Sequence, residues 1–406
     1  MQTQRLIFKP ENAVVDLVNI GTHLVPTRIC CLFCLCYLLI RSFFTSVPKE
    51  QDPLSYQKTE VYNNLDRLHS AYLIQEEELK FPLAFSLIVY RDIDRAIRLL
   101  RTIYRPHNYY CIHVDKKASA SYFLVMKEAV RRIGSNVFLI PESERIPIVW
   151  GQMSTLDADL TCAKRLLEFS SSWRYWINLT GHEFPLRTNW ELVEALKAVR
   201  GANLVSGFRD LREFGRLPPP AITPDGVHWY KGAVHVVVRR EFVDYIFKSP
   251  LAHKLLSSLR QWEHYRRYRV FADEQYFSTL NNNPHVFNIP GSYTGNKTAN
   301  GKLEFDVDLN NLSIIRHKVW SVNVSMCGTN YWVRSICMLG MRDLKTLKKS
   351  PSLFANKFIP AVEPEGYDQL EKWIARKVEY ERINSRLHPS FDVSVYAKLD
   401  ETDNHM

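Results

Sequence analysis

The sequence predicts an α/β protein built on a doubly wound, mostly parallel sheet, followed by a mixed α/β C-terminal half. Between residues 81 and 199, strand-like and helix-like hydrophobic periods alternate, which is typical of parallel strands joined by helices. After residue 208 this alternation stops at a loop that contains Pro218-Pro219-Pro220, and the strand and helix patterns beyond it are less regular. The C-terminal part of the chain is therefore expected to be mixed α/β.

The first two elements show the change of period directly. Residues 81–90 are strand-like, and the apolar positions that follow recur at helical spacing from Ile93 to Tyr104. Thr188-Asn189-Trp190-Glu191 matches a capping box that opens a helix. The remaining predicted strands are 109–115, 136–141, 174–180, 202–208, 233–239 and 331–340, and the remaining predicted helices are 119–133, 156–169, 189–199 and most of 240–262.

The composition is that of a globular protein, since 46% of the 406 residues are hydrophobic and 24% are charged. The 53 basic residues against 43 acidic ones give a net charge of +10. Such a balance suits nucleic acid, an anionic membrane surface or acidic small substrates. Because the sequence has no zinc-finger spacing, RNA-binding signature or long basic tail, we expect acidic small substrates and no nucleic acid.

Residues 29–40 (ICCLFCLCYLLI) form an uninterrupted apolar run between Arg28 and Arg41. A helix needs roughly 20 residues to cross a bilayer, so this run alone fits the core of a signal peptide, whereas snorkelling arginines extend it over about 24–47. No small-residue cleavage site follows it. These features favour an uncleaved signal anchor.

The chain is thus expected to have five parts. Polar residues before the first strand suit a stem, and the last residues are expected to fray. The parts are a cytoplasmic tail (1–28), a transmembrane segment (29–47), a stem (48–80), a luminal domain (81–384) and a C-terminal tail (385–406).

Four of the eight cysteines lie in the apolar run, where they fill apolar space or carry palmitoyl groups. The other four are an even number, which fits two disulfides in an oxidising lumen, and the sequence allows three pairings of Cys111, Cys162, Cys327 and Cys337. Glycosylation triplets agree with a secretory location and begin at Asn178, Asn296, Asn311 and Asn323. Asn178 lies in an apolar strand, so we expect the other three to be used.

Ligands of open α/β sheets bind beyond the carboxyl ends of the strands. Tyr90, Asp115 and the turn Gly181-His182-Glu183 occupy such positions. Asp115 can accept hydrogen bonds from a ribose hydroxyl or a base, or can simply cap a turn. The pair Asp273-Glu274 opens a helix-like segment, where acidic residues are favoured without any catalytic role.

Two cations stand among apolar residues. In the predicted strand 331–340, alternation places Arg334 on one face with Trp332 and Ile336. An unpaired buried guanidinium is costly, so Arg334 is expected to meet a protein carboxylate or an anionic ligand such as a diphosphate. Lys357 lies in the apolar segment 353–358, where it either snorkels to solvent or binds a similar ligand.

Taken together, several segments in this order resemble the core 2/I-branching β1,6-N-acetylglucosaminyltransferase family (glycosyltransferase family 14), over roughly residues 81–375. Jointly these segments are highly specific. They are 82–89 (PLAFSLIV), 110–118 (YCIHVDKKA), 173–186 (WRYWINLTGHEFPL), Asp273-Glu274, 333–337 (VRSIC) and 353–358 (LFANKF).

The resemblance implies a GT-A-like fold on a type II Golgi membrane anchor and an inverting transfer from a UDP-sugar. It implies Glu274 as the general base that deprotonates the acceptor hydroxyl. It also implies that Arg334 and Lys357 neutralise the diphosphate, so that no metal or other cofactor is needed.

The resemblance further implies that Tyr90, Asp115 and Trp150 contact the donor, although Tyr90 and Trp150 stand where the family has His and Tyr. Trp320 is implied to stack on the acceptor sugar, with Asp273 on the acceptor side, whereas an ordinary core position is the other interpretation of this tryptophan. The family pairs the cysteines that correspond to Cys111 with Cys162 and to Cys327 with Cys337. Its acceptor-gripping residues are not recognisable in 201–217.

We therefore expect transfer of N-acetylglucosamine in β1,6 linkage to an O-glycan such as Galβ1,3GalNAc on glycoproteins, by an enzyme of the Golgi membrane. Two alternatives remain. One is the same chemistry with another UDP-hexose or with UDP-xylose, and the other is a catalytically silent glycan-binding protein.

Overall fold

The structure is a computed structural model that describes residues 74–208, 217–295 and 314–406. The predicted cytoplasmic tail, the transmembrane segment, most of the stem and the triplets at Asn296 and Asn311 lie outside these residues. Within the described part of the chain, no helix is both long enough and apolar enough to span a bilayer.

The strands are short, and all belong to three sheets within the described ranges. In chain order they are β1 (Leu83–Val89), β2 (Tyr109–Val114), β3 (Val137–Leu139), β4 (Tyr175–Thr180), β5 (Glu183–Pro185), β6 (Leu204–Val205), β7 (Val236–Arg239), β8 (Arg316–His317), β9 (Trp332–Val333), β10 (Ile336–Cys337) and β11 (Phe354–Asn356).

The α-helices of the described ranges are numbered in chain order. They are α1 (Glu76–Leu79), α2 (Ile93–Ile103), α3 (Ala120–Ile133), α4 (Met153–Phe169), α5 (Asn189–Ala198), α6 (Arg240–Lys248), α7 (Pro250–Arg266), α8 (Tyr276–Asn281), α9 (Pro284–Phe287), α10 (Leu344–Lys349), α11 (Glu365–Asn384), α12 (Ser394–Ala397) and α13 (Asp400–Asp403). Pro250 at the first position of α7 divides the predicted helix 240–262 into two, because proline fits a helix start and not its interior.

The main sheet has the strand order β3-β2-β1-β4-β7-β6. Strands β3, β2, β1 and β4 are parallel, whereas β7 runs antiparallel between β4 and β6. Helices α2, α3 and α5 contribute to the core on one face, and α4, α6 and α7 to the core on the other. The predicted doubly wound, mostly parallel α/β sheet is therefore confirmed.

The C-terminal half adds a smaller sheet in which β11 pairs antiparallel with β5 and parallel with β8. Because β5 follows β4 after a short turn, this sheet continues directly from the carboxyl edge of the main one. Strands β9 and β10 form an antiparallel hairpin beside it. The smaller sheet and the hairpin supply several of the charged side chains described below.

Buried polar contacts hold helix α11 against helix α5. Thr188 caps α5 through the predicted capping box with Glu191, and its hydroxyl also donates to Glu381 of α11 at 2.8 Å. The Lys377 ammonium of α11 lies 2.6 Å from Glu191. These contacts attach α11 to the start of α5, although the two helices are far apart in sequence.

Two predicted boundaries are wrong. Residues 385–406 are not frayed, because Tyr396 is buried and the amide of Met406 donates to the carbonyl of Ser292 at 3.0 Å. At the other end, Glu78 is buried and accepts a hydrogen bond from Asn189 at 2.6 Å. The folded part therefore includes α1, before the boundary predicted at Phe81.

Candidate active site

The order in which strands are added to the main sheet reverses between β1 and β4. The chain leaves β1 toward β2 and β3 and later returns to place β4 on the other side of β1. A crevice opens at such a point beyond the carboxyl ends of the strands. Tyr90, which follows β1, is 45% exposed there, and its ring lies 5.7 Å from that of His182, which follows β4.

Asp115 follows β2 at the same edge and is buried. Its Oδ1 accepts hydrogen bonds from the backbone amides of Lys117 and Ile148 at 2.9 and 3.4 Å. Its Oδ2 is 3.6 Å from the exposed Lys117 ammonium. One oxygen thus stabilises the turn, as the simpler interpretation expected, while the other faces the Lys117 ammonium.

Beneath the crevice lies a buried charged group centred on Glu183 of β5. Its two oxygens lie 2.7 Å from Arg316 Nε and 2.7 Å from His235 Nε2. Burial alone would raise the pKa of Glu183, but Arg316 and His235 lower it below its ordinary value. Burial lowers the pKa of His235 to about 3, so this imidazole is neutral. The floor of the site therefore carries a fixed carboxylate and a fixed guanidinium.

Asp273 and Glu274 lie in a 3-10 turn, Ala272–Glu274, that precedes α8. The carbonyl of Glu274 accepts the amide of Gly232 at 2.7 Å. A side chain at Gly232 would place a Cβ 1.9 Å from the carbonyl oxygen of Ser206, so only glycine allows this approach. The backbone that carries Glu274 is thereby fixed against the edge of the main sheet.

Asp273 is in a different environment from Glu274. Burial, and then the Glu274 charge, raise the pKa of Asp273 to about 7, and the Thr155 hydroxyl partly offsets this rise. Asp273 is thus a much weaker acid than an ordinary aspartate, and Glu274 next to it is half-buried at the turn.

The predicted strand 331–340 is wrong, and Arg334 does not lie in a strand. Arg334 and Ser335 have φ values of 52° and 62° and form the two-residue turn between β9 and β10. The guanidinium is exposed and not buried, because the turn lifts it out of the sheet. Its carbon lies 4.1 Å from the centre of the Trp150 ring.

Trp150 joins Arg334 to the Asp273-Glu274 turn. Its ring also receives the Arg269 guanidinium at 4.3 Å and the Phe271 ring at 5.2 Å in an edge-on contact. The backbone amides of Val270 and Phe271 both donate to the carbonyl of Gly151, at 2.9 and 2.8 Å. The loop of Trp150 and the segment that leads to Glu274 therefore hold each other in place.

Lys357 follows β11 and is half-buried at the same edge. Burial, and then the neighbouring charges of Arg91 and Arg334, lower the pKa of Lys357 to about 8. Within the described ranges, neither Lys357 nor Arg334 forms an ion pair. The three positive charges of Lys357, Arg91 and Arg334 repel one another when no anion is bound. This repulsion is the property expected of an anion-binding site.

Trp320 is 38% exposed, so it is not a core tryptophan. Its neighbour Lys318, which the sequence analysis missed, places its ammonium 5.8 Å from the Trp320 ring centre. Burial is the main cause that lowers the pKa of Lys318 to about 8; the charges of Arg316 and Lys357 also lower it, whereas those of Glu183 and Glu274 oppose the shift. A lone lysine beside a tryptophan carries no sequence signal, and only the sheet register brings it here.

Of the predicted disulfides, Cys327–Cys337 is present and Cys111–Cys162 is not. Cys111 of β2 and Cys162 of α4 are free thiols in contact, and burial together with Cys111 raises the pKa of the Cys162 thiol. Asn178 is buried and donates to Asp159 at 3.1 Å, so its role is structural. Asn323 lies in the 3-10 segment Ser321–Met326.

The site as a whole combines a carboxylate in a fixed turn, a group of cations and exposed aromatic rings. Such a set can remove a proton, stabilise a leaving group with negative charge and hold sugar rings. Among the residues that the structure describes, no group of three or more His, Cys, Asp or Glu side chains is arranged to hold a metal ion.

Comparison with known proteins identifies the family. The family model described as "Core-2/I-Branching enzyme" matches residues 83–348, which include β1, the Asp273-Glu274 turn and Arg334. The chain belongs to the Core-2/I-branching enzyme family. The resemblance seen in the sequence motifs is thus confirmed, and so is the prediction that the protein is a glycosyltransferase.

Relatives of this Core-2/I-branching enzyme match over most of its length. It is 34% identical to a mouse (Mus musculus) N-acetyllactosaminide β1,6-N-acetylglucosaminyl-transferase, over 70% of each chain. It is 29% identical to a zebrafish (Danio rerio) β1,3-galactosyl-O-glycosyl-glycoprotein β1,6-N-acetylglucosaminyltransferase 4, over 77% of this chain and 74% of that protein.

A solved structure of the galactosyltransferase LgtC, in complex with donor and acceptor sugar analogues, is 12% identical. The match covers 72% of this chain and 95% of that one, with a TM-score of 0.33. A score of that size supports no conclusion about the Core-2/I-branching enzyme.

Proposed function

We propose that this protein transfers N-acetylglucosamine from a UDP-sugar, with inversion and in β1,6 linkage, to an O-glycan such as Galβ1,3GalNAc on glycoproteins. Names of its relatives, which are β1,6-N-acetylglucosaminyltransferases, support the donor and the linkage. Within the proposal the main sheet is a GT-A-like nucleotide-binding sheet. Tyr90, Asp115 and Trp150 contact the donor at its carboxyl edge, and Trp320 and Asp273 lie on the acceptor side.

One observation carries the proposal: two separate sets of neighbouring residues link Glu274 to the cations Lys357 and Arg334 around one crevice. Lys318 lies within electrostatic range of both Glu274 and Lys357. On the other side, Trp150 contacts Arg334 and also Phe271, which directly precedes the Ala272–Glu274 turn. These contacts support the proposal that the proton acceptor and the cations for the diphosphate act on one bound donor.

In the proposed reaction the Glu274 carboxylate removes the proton from the acceptor hydroxyl. The resulting oxygen attacks the anomeric carbon of the α-linked donor, while the bond to the β-phosphate breaks and its electron pair leaves with UDP. The positive charges of Arg334 and Lys357 stabilise the oxygens of the departing diphosphate. Because two fixed cations provide this charge, the proposal includes no metal and no other cofactor.

The proposed location is the Golgi membrane, with a single-pass anchor at 29–47 and a luminal catalytic domain. The apolar run 29–40 and the glycosylation triplets at Asn296, Asn311 and Asn323 support it. Immunofluorescence with protease protection on intact Golgi vesicles tests it. A domain that is digested without detergent would contradict the luminal orientation.

The decisive experiment uses the full chain in detergent. Panels of UDP-sugars and simple O-glycan acceptors are incubated with EDTA, and the linkage of each product is determined by NMR. We expect a β1,6-linked N-acetylglucosamine product that forms in EDTA. Activity that disappears in EDTA and returns with Mn²⁺ would refute the metal-free mechanism, and a preference for UDP-xylose or another UDP-hexose would change the donor. If no donor gives turnover, a glycan-binding protein is the better conclusion.

A further inference from the structure

Lys318 is a charged side chain in the site to which the sequence motifs assign no role. It follows β8 directly, as Lys357 follows β11, and these two strands are parallel neighbours with Ala355 opposite His317. Carboxyl ends of parallel neighbours lie at one edge of a sheet. The parallel pairing of β8 and β11 therefore places both lysines at the edge of the small sheet that borders the crevice.

The surroundings of Lys318 hold its charge in place but do not satisfy its hydrogen bonds. Glu183, Arg316, Glu274 and Lys357 all lie within electrostatic range. Among the described residues, however, no hydrogen bond or ion pair reaches the Lys318 ammonium. The ammonium is half-buried and is not sealed from solvent, so its three N–H donors are open to the crevice. A bound ligand can therefore supply acceptors there in place of water.

The position of the Lys318 ammonium favours the acceptor sugar, and not the donor, as that ligand. It lies 5.8 Å from the centre of the Trp320 ring and within electrostatic range of Glu274. A sugar that covers the exposed surface of Trp320 while presenting a hydroxyl to Glu274 passes this ammonium at close range. The donor diphosphate has its own cations, because Arg334 stacks on Trp150.

We propose that Lys318 is a specificity-determining residue that donates a hydrogen bond to an oxygen of the acceptor sugar bound against Trp320. This inference rests on the proposed transferase function and deepens it. It assigns an acceptor contact to the small sheet of β5, β8 and β11, in addition to the Asp273-Glu274 turn. The ligand class is a neutral sugar with a hydroxyl or ring oxygen at this position.

The test compares wild type with Lys318→Met and Lys318→Gln, using the full chain in detergent and Galβ1,3GalNAc with a benzyl aglycone. A charged hydrogen bond corresponds to about a ten- to hundredfold change in affinity. We therefore expect the KM for the acceptor to rise by that factor, with the dissociation constant for UDP nearly unchanged. Lys345→Met, which alters an exposed lysine, is the matched control.

Mono-deoxy analogues of the acceptor identify the contacted oxygen. One analogue should raise the KM of wild type and leave that of Lys318→Met unaffected, whereas the others should affect both proteins equally. A purely structural role would not produce this selectivity. Unfolding temperatures of the variants show whether either one is misfolded, and Lys318→Arg should recover part of the affinity because it keeps a charged donor.

Three results would overturn the inference. The acceptor KM could stay the same, UDP affinity could fall by the same factor as acceptor affinity, or all deoxy analogues could affect both proteins alike. Calorimetric titration of acceptor into the UDP complex measures the same contact without turnover. The inference about Lys318 can therefore fail while the transferase function holds, and the two failures are distinguishable.

Discussion

Glu274 shows how much of a residue's role depends on its surroundings. As an acid at the start of a helix-like segment it has an ordinary explanation in capping. Its backbone is held instead by Gly232, whose lack of a side chain permits a 2.7 Å hydrogen bond to the Glu274 carbonyl. Asp273 beside it has its pKa raised to about 7 by burial. Burial thus makes Asp273 a much weaker acid than an ordinary aspartate.

Glu274→Gln should abolish turnover while UDP still binds. The substitution keeps the shape of the side chain but removes the proton acceptor, and general-base catalysis contributes about 10²- to 10⁴-fold. UDP release at saturating substrates should fall by that factor, with the dissociation constant for UDP within about twofold of wild type. Glu77→Gln, at an exposed position of α1, is the control. Unchanged turnover in Glu274→Gln would favour a protein without catalysis.

Arg334→Lys should weaken UDP binding by about tenfold, although it preserves the charge. Lysine has neither the planar fork that matches phosphate oxygens nor the flat face that lies 4.1 Å from Trp150. Isothermal titration with UDP measures the effect. Arg342→Lys, at an exposed position, should not change the affinity. Equal affinity in Arg334→Lys and wild type would remove Arg334 from the diphosphate site.

At the scale of secondary-structure elements, the β9–β10 hairpin determines the position of the Arg334 guanidinium. The sequence pattern of 331–340 fits one strand, but Arg334 and Ser335 both adopt positive φ values and reverse the chain. The disulfide Cys327–Cys337 ties the end of β10 to the 3-10 segment Ser321–Met326. A bridge across a short loop holds the hairpin without any need for a large core.

Replacing both Cys327 and Cys337 with serine should lower UDP affinity by about three- to tenfold, because a less rigid hairpin must be ordered when the ligand binds. Loss of such a bridge also destabilises the fold by about 2–4 kcal/mol. UDP titration and thermal unfolding measure the two effects. Reductant should reproduce both changes in wild type and have no effect on the double variant. An unchanged UDP affinity would show that the hairpin is rigid without the bridge.

At the scale of the whole molecule, one buried polar network crosses the central sheet and links the two halves of the chain. Asp159 of α4 accepts hydrogen bonds from Ser86 of β1 at 3.4 Å and from Asn178 of β4 at 3.1 Å. The backbone carbonyl of Asn178 in turn accepts from the Arg316 guanidinium, which is paired with Glu183. The small sheet is thus attached to the main one by polar contacts as well as by packing.

Asp159→Asn should stabilise the fold at pH 8 and have little effect at pH 4. Burial raises the pKa of Asp159 to about 7, above its value of about 3.9 in an unfolded chain. Between these values the unfolded state releases a proton that the folded state keeps, so stability falls as pH rises and is lowest above pH 7. An amide does not titrate; its oxygen can accept from Asn178, while its NH2 group donates to the Ser86 hydroxyl oxygen.

Thermal unfolding across pH 4–8 measures this effect. The gain for Asp159→Asn at pH 8 should be on the order of a few kcal/mol and should shrink toward pH 4. Asp225→Asn, at an exposed position, is the control. A pH-independent shift would show that the substitution acts through packing and not through ionisation.

The sequence by itself determined the alternating strands and helices of the main sheet, because hydrophobic period is a local property of the chain. It also determined the family, since several specific motifs occur in the family's order. The capping box at Thr188 was predicted for the same local reason, and it is present.

Only the tertiary structure decided how the site is assembled. The turn at Arg334, the thiol state of Cys111 and Cys162, the order in residues 385–406 and the position of Lys318 all depend on contacts between distant segments. A pattern of two or 3.6 residues carries no information about such contacts. Lys318 in particular is positioned by the register of β8 against β11, which brings it near Trp320 and within electrostatic range of Glu274.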